Sequence, residues 1–177
     1  FQGKGSFGQT VEEDYFGYAI NSNSEADFKE VGLEVKSSGL KKVRGNEYVA
    51  KERLVLNIIN YFDIVNQDFI NSTFYKKNNH LLLIFYLYEK NIHFLDFLIK
   101  VVGDWKLKDV DLEIIRADWE YIKNKVKAGK AHELSEGDTF YLGACHKGGK
   151  GGNPRKQPFS NKDAKQRAFS LKQGYLN

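Results

Sequence analysis

Leu81-Leu82-Leu83-Ile84-Phe85-Tyr86-Leu87-Tyr88 is a continuous apolar run, not an alternating one. It is too short for a typical helix and rich in residues that suit a pleated surface, so it reads as a central strand buried on both faces. Strand and helix patterns surround it. Gly32 to Lys36 reads as a strand, Tyr48 to Tyr61 as a strand region and Phe94 to Val102 as a further strand. Thr139 to Ala144 is a short strand. The spacing of Phe7, Val11, Tyr15 and Tyr18 predicts an amphipathic helix over 7–18, and another is expected from Asp63 to Phe74. Asp109 or Asp111 caps a third helix that runs to about Lys127. Leu112, Ile115, Trp119, Ile122 and Val126 form its apolar side and Gly129 stops it. The fold class expected is α/β or α+β, a mixed central sheet flanked by helices.

The chain has 177 residues, 41% of them hydrophobic and 14% aromatic, with two prolines. That suffices for one domain with a real core and argues against disorder. Phe1-Gln2-Gly3 reads as the remnant of a cleavable tag, and the chain contains no methionine. Residues 4–177 are therefore expected to be a single domain excised from a longer protein. Its longest apolar run falls far short of the ~20 residues that span a bilayer, so no membrane partner is expected. One cysteine, Cys145, excludes an internal disulfide and a thiolate cluster, which fits a cytoplasmic, reducing location. His80, His93, His132 and His146 show no metal-ligand spacing.

The strand Gly32-Leu33-Glu34-Val35-Lys36 carries the chemistry. Alternation puts Glu34 and Lys36 on one face and turns Leu33 and Val35 to the core. Asp27 lies seven residues before Glu34, and Glu12 lies in the first helix. Two carboxylates entering one strand can hold a hard divalent cation, and an ammonium beside them can stabilise attacking water or developing phosphorane charge. A phosphodiesterase using Mg2+ needs this arrangement. The spacing alone also fits a solvated strand face with an incidental ion pair.

Charge is unevenly spread. The net charge is +4, yet His146 to Lys172 holds Lys147, Lys150, Arg155, Lys156, Lys162, Lys165, Arg167 and Lys172 against one acid, Asp163. A basic face of this kind suits a polyanion. Within it, His146 to Lys156 is a glycine-rich loop that lacks the Gly-x-x-x-x-Gly-Lys-Ser/Thr order of a nucleotide-triphosphate site. Its glycines let backbone approach a ligand while its cations meet phosphates. A flexible linker has the same composition.

Three segments in order resemble the MutH-type endonucleases, a family that includes the mismatch-repair nicking enzyme and type II restriction enzymes cutting at GATC. They are Lys4-Gly5-Ser6-Phe7-Gly8-Gln9-Thr10-Val11-Glu12, then Asp27-Phe28 with Gly32-Leu33-Glu34-Val35-Lys36, then Tyr141-Leu142 before the basic loop. Lys51 to Tyr61 and Gln166 to Lys172 look closer to the restriction enzymes. The resemblance implies a restriction-endonuclease-like fold and Mg2+ ligated by Asp27 and Glu34. It further implies that Lys36 acts on the nucleophilic water and that Glu12 completes the acidic cluster. Double-stranded DNA containing GATC would be the partner. Lys4 and Lys77 would contact phosphates, and Cys145, His146 and Lys147 would enter the major groove. The basic side chains Lys150, Arg155 and Lys172 extend that DNA-binding surface, and Ser170 stands where the nickase has a tyrosine near the adenine methyl group. The nickase has an arginine where Cys145 stands, so one base contact must come from elsewhere. The serine implies that cleavage tolerates adenine methylation. A restriction role comes first, strand nicking in mismatch repair second, and a non-catalytic recognition module of a larger restriction enzyme third. A second domain or a homodimer on DNA is a further possible partner.

Overall fold

The structure is a computed structural model that describes residues 6–17, 26–148 and 153–177. Its frame is a four-stranded mixed sheet in the order β2-β1-β4-β5. Strand β1 (Glu34–Lys42) runs parallel to β4 (His80–Leu87), with Glu34 beside Leu81 and Lys36 beside Leu83. Strands β2 (Tyr48–Ala50) and β5 (Ile99–Lys106) add antiparallel at either edge. A second, antiparallel sheet has the order β3-β9-β6, from β3 (Leu54–Ile58), β6 (Leu142–His146) and β9 (Arg167–Leu171). A short ladder joins β7 (Pro154–Arg155) and β8 (Ala164–Lys165). The α+β architecture with a mixed sheet flanked by helices is the one the sequence predicts.

Both faces of the first sheet are covered. Leu81 and Leu83 join the main core with Leu54, Leu142, Phe169 and Leu171 of the second sheet and with helix α4 (Asp109–Lys127). On the opposite face Val35 and Ile84 pack with Phe7 of helix α1 (Ser6–Thr10). Each fully buried side chain of this size contributes about 1.5–3 kcal/mol. The burial has a consequence for the chemistry: Glu34, on the Leu81 side, is itself only 2% exposed. The expectation that Glu34 points away from the core is corrected on that account.

Helix α4 buries Ile115, Trp119, Ile122 and Val126 along one stripe, as their spacing predicts. Its N-cap is Lys108 and not an aspartate, and Asp109 takes a positive φ of 54°. Asp111 instead accepts a hydrogen bond from the Tyr175 hydroxyl at 2.6 Å. Gly129 ends the helix at φ +71°, where a Cβ would meet the Phe159 carbonyl oxygen at 2.4 Å.

Several boundaries move. The helix expected over 63–74 is two short ones, α2 (Tyr61–Ile64) and α3 (Thr73–Asn78). Asn60 caps α2 by accepting from the Phe62 and Asp63 N–H groups, and Ser72 caps α3 by accepting from that of Tyr75. The strand region 48–61 is divided by bends at Lys51 and Glu52. Phe94–Asp96 form a 3-10 turn, so β5 starts only at Ile99. Strand β6 begins at Leu142 and runs on to His146. The first helix passes at Val11–Tyr15 into a π-helical turn that carries Glu12. Tyr18 and residues 149–152 of the glycine-rich loop lie outside the described residues, as do Lys4 and Lys150. Among the described residues, no helix is long and apolar enough to cross a membrane.

Candidate active site

A tight turn brings Asp27 to Glu34. Phe28 and Leu33 form an antiparallel bridge, with the Phe28 N–H donating to the Leu33 carbonyl at 2.9 Å. Gly32 takes φ +62° within the turn, a conformation that favours glycine. Asp27 and Glu34 flank this bridge and bind each other's segments. The Asp27 N–H donates to Glu34 Oε2 at 3.2 Å, and the Val35 N–H donates to Asp27 Oδ2 at 2.9 Å. Each carboxylate is thereby oriented by backbone.

The other oxygen of Glu34 meets two ammonium groups. Lys36 Nζ donates to Oε1, and Lys77 Nζ stands 3.5 Å from the same atom. Lys77 arrives on α3, which is tied to β3 through the 2.8 Å hydrogen bond from Asn78 Nδ2 to Asn57 Oδ1. Its side chain is 12% exposed and belongs to the same charged cluster as Glu34 and Lys36. The sequence expectation made it a phosphate contact, and the spacing gave no sign of this neighbour.

Glu12 faces the same cluster from the π-helical turn. Its carboxyl is held above the ordinary range, first by burial and then by the charge of Asp27, with Glu34 adding to the effect and Lys36 and Lys77 opposing it. Glu34 is raised too, mainly by burial and further by Asp27, against the pull of Lys36 and Lys77. Three carboxylates thus share one electrostatic environment that favours an added cation. Among the described residues no three acidic, histidine or cysteine side chains converge into a closed metal-holding set. Mg2+ does not require one, since it is commonly bound by one or two carboxylates and keeps several waters. The donor set of Asp27 and Glu34 fits that ion.

The basic segment is placed differently from expectation. Cys145 is 1% exposed and Ser170 is fully buried, so both side chains face protein. Neither offers a direct DNA contact in this structure, and that part of the expectation is corrected. Lys172 donates through Nζ to the Thr139 carbonyl. His146, Lys147 and Arg155 are exposed. Arg155 Nη2 donates to Gln166 Oε1 at 3.0 Å. His146 is pushed below the usual imidazole range by partial burial and by Arg167, Lys165 and Arg53, so it is neutral at pH 7.

Two residues behind this surface carry no motif. Asp118 of α4, nearly buried, accepts from the N–H groups of Phe140, Tyr141 and Leu142 at 2.7–2.8 Å and so fixes the entry to β6. Arg167 is buried on β9 and donates from Nη1 to the Ala144 carbonyl at 2.6 Å.

A mixed sheet with helices on both sides and an Asp, Glu-x-Lys cluster at one strand defines a restriction-endonuclease-like protein. The model of the family described as DNA mismatch repair enzyme MutH matches residues 16–118, and the chain belongs to that family. It is 46% identical over 177 residues to the type II restriction enzyme Sau3AI of Staphylococcus aureus, covering 99% of this chain and 36% of that protein. It is 29% identical over 112 residues to the DNA mismatch repair protein MutH of Buchnera aphidicola subsp. Baizongia pistaciae, covering 62% of this chain and 48% of that one. The chain therefore spans about a third and about half the length of these two relatives.

Proposed function

We propose that this domain is an endonuclease that uses Mg2+ to hydrolyse phosphodiester bonds in duplex DNA at GATC. The observation that carries the reading is the convergence of Asp27, Glu34, Lys36 and Lys77 beside Glu12. Asp27 and Glu34 are the residues that would hold the cation. When bound, it supplies Lewis-acid polarisation of the scissile phosphate. Lys36, anchored on Glu34, orients the attacking water and stabilises negative charge as it develops on the phosphorus oxygens. Lys77, beside the same Glu34 oxygen, supports the same charge. Glu12 adds a third carboxylate whose raised proton affinity suits it to hold a proton at the edge of the site.

His146, Lys147 and Arg155 supply the exposed surface for DNA. A restriction role is favoured over strand nicking because the relative matched along 99% of this chain is a restriction enzyme. A purely binding module is disfavoured, because clustered carboxylates with raised proton affinity repel phosphate unless a cation intervenes.

The test is cleavage of a duplex with one GATC site, in Mg2+ or EDTA, beside the same duplex with the site scrambled. Cutting of the GATC duplex alone, and only with Mg2+, is expected. Equal cutting of both duplexes, or tight selective binding with no cutting, would overturn the proposal.

A further inference from the structure

Arg53 immediately precedes β3, where Leu54 registers with Leu171 and Val55 with Ser170. Leu54, Leu171 and Leu142 point into the core, so Arg53, Ser170 and Gly143 share the other face of the sheet. Glu136 lies over that face. Its Cγ stands 2.8 Å from where a Cβ on Gly143 would be, and Ser170 Oγ donates to its Oε1 at 3.5 Å. Two small residues thus make the room that Glu136 occupies. Glu136 is held in turn by a capped 3-10 turn, in which the Ser135 N–H donates to Asp138 Oδ2 at 2.9 Å and Asp138 pairs with Lys125 at 2.7 Å.

Glu136 Oε1 binds Arg53 at Nε, 2.5 Å away. That contact engages Nε of a side chain that is 44% exposed. The pair lines a cleft of about 390 Å³ with Lys51, Glu52, Lys172 and Gln173. Arg53 heads β3 in the same sheet that carries the exposed His146 at the end of β6. The other arginine of this sheet, Arg167, is buried and committed to the Ala144 carbonyl. Cys145 brings no guanidinium and is itself buried.

An arginine held by a carboxylate at Nε presents a planar, two-toothed donor, which matches the O6 and N7 acceptors of guanine in the major groove. We propose that Arg53 reads the guanine of the recognition sequence by this fork, and that Glu136 is the positioning residue that aims it. The inference rests on the endonuclease reading above and names the residue that gives it base specificity. It also supplies the base contact that the Cys145 position lacks.

The experiment is a binding cycle in Ca2+, which supports complex formation without cleavage, using GATC duplexes with guanine or 7-deazaguanine and a scrambled duplex. The wild-type protein is expected to lose roughly 5- to 150-fold in affinity when N7 is removed. Arg53→Ala should bind guanine and 7-deazaguanine duplexes alike, with scrambled-duplex binding unchanged. Arg53→Met, which keeps the aliphatic stem without any donor and serves if the alanine variant is unfolded by circular dichroism, should likewise lose the preference. Glu136→Ala should reduce the guanine preference in the same way and leave scrambled-duplex binding intact. A full 7-deazaguanine penalty in Arg53→Ala or Arg53→Met, or an equal loss on all three duplexes, would overturn the assignment while leaving the endonuclease reading standing. A wild-type protein that binds GATC no better than the scrambled duplex would overturn both.

Discussion

The acidic cluster on β1 and the polar face of the β3-β9-β6 sheet handle charge in opposite ways. Around the start of β1, burial and the charges of neighbouring carboxylates raise the proton affinity of Glu12 and Glu34. On the second sheet three cations have partners of their own: Arg53 pairs with Glu136, Arg167 with the Ala144 carbonyl and Lys172 with the Thr139 carbonyl. The first region holds electrostatic strain that an incoming cation relieves. The second is already satisfied and keeps its geometry without a ligand. The difference separates a carboxylate cluster that favours an added cation from a sheet face whose cations already have partners.

Lys36→Ala breaks the first region with the largest effect expected here, a loss of about 10²- to 10³-fold in cleavage rate, the scale of removing one group that stabilises transition-state charge. Single-turnover cleavage in excess enzyme measures it. Binding to DNA should change little, because Lys77 remains beside Glu34. A rate within a few-fold of wild type would place Lys36 outside the chemistry.

Asp118→Ala breaks the second region instead. Three backbone N–H groups at the start of β6 lose their acceptor, which should lower unfolding free energy by about 2–4 kcal/mol in a urea titration. Asp118→Asn should recover part of that. A wild-type midpoint for Asp118→Ala would mean that the entry to β6 is held by other contacts.

The smallest effect concerns pH. Glu12 and Glu34 bind protons more tightly in the folded chain than in the unfolded one, above the ordinary glutamate value of 4.5. Their contribution is therefore favourable at low pH and is lost as pH rises from 4.5 through the raised folded values. Glu12→Gln removes one share of this loss. Its melting temperature should match wild type near about pH 4 and exceed it near neutrality without divalent ions, and added Mg2+ should narrow the gap. A gap that shrinks as pH rises would have the wrong sign for a crowded carboxylate.

How far each region could be read beforehand follows from the distance between its parts in the chain. Asp27 and Glu34 are closed by a single turn, and Glu34 and Lys36 by strand alternation, so their pairing was legible from spacing. The stripe of Ile115, Trp119, Ile122 and Val126 was legible for the same reason. Lys77 beside Glu34 was not, because it depends on where α3 docks. The split of the 63–74 helix turns on Asn60 and Ser72, two capping residues that are clear only once the chain between them is known to turn. Arg53 and Glu136 meet only after β3, β9 and β6 pair. The burial of Cys145 and Ser170 also depends on that pairing, since Ser170 lies on the middle strand of the sheet. In this molecule the residues proposed for catalysis are mostly local in sequence, and the proposed recognition surface is assembled from distant segments.

The most direct test of the central claim, that Asp27 and Glu34 form a cation-dependent hydrolytic centre, is Glu34→Ala assayed in parallel for cleavage with Mg2+ and for GATC binding with Ca2+. The account predicts cutting abolished with selective binding nearly intact. Retained cutting would contradict it, as would a loss of binding of several-fold or more, which would make Glu34 a structural residue.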